Sequence, residues 1–90
     1  MTRYLIETHH TAEQCLADLD ALLEHDPGFL DNLEWGCPAG VHMGWTVVEA
    51  SRPEEVSRHI PPGMRSRTRV LPVQRFTPEQ IRALHGMKGS

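Results

Sequence analysis

The chain has 90 residues, enough for one domain and too few for two. A net charge of -3, with both signs spread along the length, argues against nucleic acid as a partner. No stretch is apolar enough to span a bilayer, and the opening MTRYLIETHH lacks the long apolar run and cleavage site of a secretory signal, so no membrane association is expected and the cytoplasm is the expected location. A core this small gains from a metal, a crosslink or a second copy of the chain. In a reducing compartment its two cysteines are expected as thiols or ligands rather than as a structural disulfide.

TRYLIETHH alternates, with Tyr4, Ile6 and Thr8 on one side and Leu5 and Glu7 on the other, and reads as a first strand. TAEQ is a capping box, with Thr11 as N-cap and Gln14 at the third helical position. Ala12, Cys15, Leu16, Leu19, Leu22 and Leu23 follow at helical spacing, opposite Glu13, Asp18, Asp20 and Glu24, predicting an amphipathic helix. HDPGF ends or breaks it. LEW begins a short second strand, GCPAG supplies a turn, and VHMGWTVVEA is a third strand that pairs back on the second. SRPE, Ser51 to Glu54, is a second capping box opening a short helix through Val56 and Ile60, which PPG stops. RTRVLPVQRF reads as the last strand, at a sheet edge because of Pro72. TPEQ is a third capping box with Pro78 at the first helical position; it opens a terminal helix carrying Ile81 and Leu84, which Gly86 ends.

The expected class is α+β: a ferredoxin-like βαββαβ with an additional C-terminal helix, and a four-stranded antiparallel sheet in the order 4-1-3-2 with two helices on one face. Residues 1–86 form the single domain and 87–90 a tail. On strand three Val41, Met43, Trp45 and Val47 point one way, and Thr46, Val48 and Ala50 the other. Both faces are apolar and both want cover. Pairing of two copies through the sheet, a homodimer, supplies it; the alternative is a monomer whose terminal helix covers the second face.

This topology brings the exit of strand one, the start of the first helix and the turn between strands two and three to one end of the sheet. His10 and Cys15 have the same separation as Cys37 and His42, giving H-x4-C followed by C-x4-H. His10, Cys15, Cys37 and His42 are therefore a candidate Cys2His2 metal site, with zinc the first choice by ligand type and copper, nickel or iron also suited. Four ligands would close the sphere for a structural, storage or sensing role; three would leave a position open for catalysis. The helix N-terminus is expected to favour the thiolate at Cys15. His9 and Met43 are reserve ligands, with His9 pointing away from His10.

Each residue also has a plainer reading. Cys15 is in register with Leu19 and Leu22 as a small core residue, His10 precedes a cap, Cys37 lies in a turn and His42 at a strand end. His25, His59 and His85 fall near helix ends as structural or exposed groups. Arg65 to Arg69 either meets an anionic partner or guards a strand edge. No phosphate loop, nucleophile elbow or paired catalytic carboxylates stand out. Two other functions remain open. Cys15 and Cys37 could form a reversible disulfide. A small-molecule or haem pocket could instead be lined by Trp35, Met43 and Trp45, with His10 or His42 as acid–base groups.

M-x-x-YLIE at the start, WGC-x-AG-x-H-x-GW in the middle and RV-x-x-V-x-x-FTPEQIR near the end resemble a family of small bacterial proteins related to the dimeric α+β barrel superfamily, which includes a nickel-binding member with a similar opening. The resemblance spans nearly the whole chain. It implies a protomer paired through its sheet, and that His10, Thr11 and Cys15 belong with Gly36, Cys37, Gly40 and His42. It supplies no activity. Copper chaperones of ferredoxin-like fold also place ligands after strand one, but their MxCxxC loop is absent here.

Overall fold

The computed structural model describes residues 1–88. Strands β1 (Thr2–His9), β2 (Glu34–Trp35), β3 (Met43–Ala50) and β4 (Thr68–Val73) form one four-stranded sheet in the order β2-β3-β1-β4, antiparallel throughout. Helices α1 (Cys15–His25), α2 (Pro27–Asn32) and α3 (Pro53–Ser57) lie between the strands, and α4 (Pro78–Lys88) follows them. No helix among the described residues is long and apolar enough to cross a membrane.

The alternation of β1 decides where the core sits. Tyr4, Ile6 and Thr8 are buried, as their spacing of two predicts for one face of a strand. Leu22 of α1, Phe29 of α2, Val56 of α3, and Leu33, Ile60 and Met64 from the connections pack onto that face. Each large side chain removed from water there contributes roughly 1.5–3 kcal/mol.

The opposite face carries a row in register: Leu5 pairs with Val47 of β3 on one side and with Leu71 of β4 on the other. Val47 and Leu71 are exposed. The terminal helix does not cover this row, because every side chain from 74 to 87 is exposed. The Cα radius of gyration is 16.4 Å, and the longest dimension is 52 Å. A compact chain of this length has a radius of about 12 Å. The side chains of residues 78–87 on α4 are exposed, so this helix adds little to the packed core.

Several local expectations change. HDPGF does not simply end a helix: Asp26 Oδ1 accepts from the Phe29 amide at 3.0 Å and caps α2, whose first residue is Pro27. The Thr11–Gln14 box forms, with Gln14 N donating to Thr11 Oγ1 at 3.3 Å and Thr11 N to Gln14 Oε1 at 2.9 Å, but it opens a single 3-10 turn before α1 proper. The buried side of α1 is set by Cys15, Asp18, Leu19 and Leu22, leaving Leu16 and Leu23 exposed. The Ser51 box is not made: Arg52 occupies the cap without a side-chain bond, and Glu55 instead accepts from the Ser51 amide at 3.2 Å. The strand expected from Arg67 begins at Thr68, because Pro62–Arg67 forms 3-10 turns. The Thr77–Gln80 box forms at both of its bonds. Gly86 does not stop α4, which continues to Lys88; residues 89–90 of the expected tail lie outside the described residues.

Candidate metal centre

His10 follows the last residue of β1, and its amide donates to the His42 carbonyl at 3.2 Å. That one backbone bond carries the β1–β3 pairing past the end of both strands and sets the two histidines side by side. Their rings lie 5.6 Å apart, edge to face. Cys37 reaches the same place from the other direction. Its residue opens a 3-10 turn, Cys37–Ala39, closed by Gly40 at φ 85°, a left-handed conformation that favours glycine. The turn is held from both ends, with the Gly36 amide donating to the Met43 carbonyl at 2.9 Å and the Val41 amide to the Gly36 carbonyl at 3.0 Å.

One nitrogen each from His10 and His42 and the Cys37 sulfur all lie within 4.8 Å of one another. His10 Nε2 is 3.1 Å from Cys37 Sγ. The Cys15 thiol, on the first residue of α1, donates to Cys37 Sγ at 3.5 Å. The edges of a zinc tetrahedron, from metal–ligand bonds of 2.0–2.3 Å, are about 3.3–3.8 Å. The sulfur–sulfur contact of 3.5 Å falls within that range, and the nitrogen–sulfur contact of 3.1 Å is slightly shorter. Three of the four residues expected from sequence thus form one group, and Cys15 touches it through Cys37.

Among the described residues two buried nitrogens, His10 Nδ1 and His42 Nδ1, have no hydrogen-bond partner. A buried polar atom without a partner costs on the order of 1–3 kcal/mol. A cation at this place would give the unpartnered His42 nitrogen a role, and the donor set suits one. His10 Nδ1 has another orientation to explain, since it lies 4.0 Å from Asp18 Oδ2. A ligating histidine commonly turns its second nitrogen toward a carboxylate, which orients the ring. Asp18 is itself buried and accepts both arms of Arg67, at 2.7 and 2.9 Å. Arg67 Nη1 also donates to the His9 carbonyl at 2.6 Å. Arg67 of the basic run is therefore turned toward Asp18 and does not stand as a free edge charge. Neither residue carried a sequence signal for this role, beyond the placement of Asp18 one turn after Cys15.

Burial pushes the His10 imidazole below its ordinary pKa; Asp18 opposes this, while His42 and Arg67 add to it. The neutral ring so favoured is the form that binds a metal. Cys15 departs from its expectation. Its hydrogen bond to Cys37 pushes the thiol pKa up, with burial and the electrostatic influence of Cys37 and Asp18 adding to the shift. The helix N-terminus does not prevail, because Cys15 follows a capped 3-10 turn and its thiol donates a hydrogen bond to a second sulfur. A bound cation reverses that balance, since it deprotonates a coordinating thiol.

The reserve ligands are on the other side of the sheet. His9 is half exposed, with Nε2 3.9 Å from Glu7, and Met43 is its cross-strand partner. Trp35 packs against the core, its ring centroid 5.8 Å from that of His10. Trp45 follows Gly44 onto the opposite face and donates to Glu7 Oε1 at 3.3 Å. Trp35 and Trp45 therefore do not line one pocket. His25 contacts the Arg58 carbonyl through Nε2 at 2.8 Å, and His59 pairs with Asp26 at 2.6 Å while stacking on Phe29. Comparison with family models, curated proteins and solved structures returns no match.

Proposed function

We propose that this protein binds a transition-metal ion through His10, Cys37 and His42, with Cys15 as the fourth ligand. The observation that carries the reading is the group His10, Cys37 and His42, with one ligand atom of each within 4.8 Å of the others, in which His42 also has a buried nitrogen without a partner. Zinc matches the mixed sulfur and imidazole donors best; copper, nickel and iron are the competitors. A closed four-ligand sphere suits storage, sensing or structural support, and thiolate ligation of this kind suits a reducing cytoplasm. Elemental analysis of protein purified without an affinity tag tests it. About one ion per chain is expected, and Cys37→Ala should lose it. Absence of metal from the parent, together with unchanged stability on replacing Cys15 and Cys37, refutes it.

The 3.5 Å approach of the two sulfurs favours a second reading, a thiol redox pair, which thiol counting under oxidising and reducing conditions separates from the first. We further take the arrangement as ferredoxin-like with an added C-terminal helix, related to the dimeric α+β barrel proteins. In this reading two copies meet through the row Val47–Leu5–Leu71. Support comes from the exposure of Val47 and Leu71 and from the absence of cover by α4. Sedimentation should give a dimer that Leu71→Lys dissociates; a monomeric parent refutes the pairing.

A further inference from the structure

We infer that Cys15 and Cys37 are a redox gate on the metal centre: a hydroperoxide converts the pair to a disulfide and expels the ion. The inference rests on the metal reading above and adds its regulation. Its basis is the asymmetry between the two cysteines. Cys37 belongs to the mutual group with His10 and His42, whereas Cys15 reaches that group by contacting the Cys37 sulfur. The same contact that supplies a fourth ligand is the one a disulfide needs.

The geometry permits the change. A disulfide has an S–S bond of about 2.05 Å, so the sulfurs must approach by about 1.5 Å from their separation of 3.5 Å. Cys15 opens α1 just after a single 3-10 turn, and Cys37 opens a short turn between Gly36 and Gly40. Both are element ends and not core positions. Both cysteines are partly exposed, so a small oxidant reaches them from solvent, while the His10 side chain behind them is fully buried.

The chemistry balances without a further reductant or oxidant. The Cys37 sulfur attacks the terminal oxygen of the hydroperoxide; the O–O bond breaks, and the other oxygen leaves as the alcohol, or as water from hydrogen peroxide. Cys37 is then a sulfenic acid. The Cys15 sulfur attacks the Cys37 sulfur, the S–O bond breaks, and the hydroxide leaves. In the metal-loaded protein both sulfurs are thiolates, so water supplies the two protons taken up by the departing alkoxide and hydroxide. The two sulfurs have given two electrons to one peroxide, and the products are a disulfide, an alcohol, water and the free ion. A disulfide sulfur carries no charge and is a poor ligand for zinc, so only two imidazoles remain, fewer than a stable site needs. Reduction restores both sulfurs and the site.

The test uses the full chain, reduced, loaded with zinc and treated with hydrogen peroxide in the presence of a chromogenic zinc chelator. Zinc release should track thiol loss at about one ion per two thiols, with an intact-mass decrease of about 2 Da, and dithiothreitol with fresh zinc should reverse both. Cys15→Ser retains the three-residue group but has no resolving sulfur. Peroxide should add about 16 or 32 Da to it as sulfenic or sulfinic acid, without the 2 Da loss. Zinc binding that survives formation of the disulfide overturns the gate and leaves the metal reading standing. Failure of the fully reduced parent to take up zinc, copper, nickel or iron overturns the metal reading and the gate with it. Reversible zinc release by Cys15→Ser at the parent's rate removes Cys15 from the mechanism.

Discussion

Asp18→Asn separates the two roles assigned to this carboxylate. In the folded protein Asp18 accepts two charge-assisted hydrogen bonds from Arg67, and its side chain is only 7% exposed. Such bonds contribute about 1.5–3 kcal/mol each when the alternative is an unpaired buried group. Arg67 is less protected, at 26% side-chain exposure, so water recovers part of its loss. It also keeps its bond to the His9 carbonyl. Asparagine preserves the volume and one acceptor. The metal-free protein should therefore lose about 2–3 kcal/mol, below the 3–5 expected for a fully buried broken pair. Urea unfolding of the metal-free protein measures this term. The second effect is on the site, since His10 Nδ1 no longer faces a carboxylate. At 4.0 Å Asp18 acts on His10 as a nearby negative charge and not through a hydrogen bond, so its loss should weaken metal binding by less than the 10–100-fold of a hydrogen-bonded partner, about 3–10-fold, which competition with a chelator reads. Arg67→Lys is the control, because it weakens the pair yet leaves the carboxylate beside His10. An Asp18→Asn variant with parent affinity refutes the orienting role, and one with parent stability refutes the ion-pair assignment.

Gly44→Ala should destabilise the protein and disturb the site together. A methyl group at Gly44 would sit 2.6 Å from Trp35 Cζ3, so the whole indole must move, at a cost of about 1–3 kcal/mol. Trp35 packs beside His10, and a shift in tryptophan emission with weaker metal binding would report it; unchanged emission and affinity would contradict this packing. Asp26 governs an acid-side effect. Its hydrogen bond to His59, and the Phe29 amide after it, hold its carboxyl below the ordinary carboxylate pKa. A depressed carboxylate stabilises the fold above its unfolded pKa of about 3.9, and that contribution is lost as pH falls through the folded value. Asp26→Asn should therefore flatten the fall of stability below about pH 4 relative to the parent. A parallel decline in both proteins would show that the pairing contributes nothing.

The period-two pattern of Tyr4, Ile6 and Thr8 was enough to place the core face of β1, because a strand alternates whatever it packs against. The boxes at Thr11 and Thr77 were equally legible, being closed within four residues. Ser51 has the same spelling and no box, since Glu55 takes its amide instead. The α2 helix was hidden because Asp-Pro-Gly reads as a stop as readily as it reads as a cap followed by a first helical proline. Asp18 was unreadable for a different reason. A carboxylate on a helix is ordinarily assigned to the solvent side, and what buries this one is Arg67, 49 positions away. The convergence of His10, Cys37 and His42 followed from strand order. The burial of the two histidine nitrogens depended on side-chain packing that no spacing encodes.

The most direct measurement is a cobalt(II) titration of the reduced, untagged protein followed by visible and near-ultraviolet absorption. Saturation at about one ion per chain, with the intense d–d bands of a tetrahedral centre and thiolate-to-cobalt charge transfer, is the predicted result. Zinc should displace the cobalt and erase those bands, and Cys37→Ser should fail to develop the charge-transfer band at parent intensity. A spectrum that stays that of the hexa-aqua ion throughout the titration would contradict the metal centre.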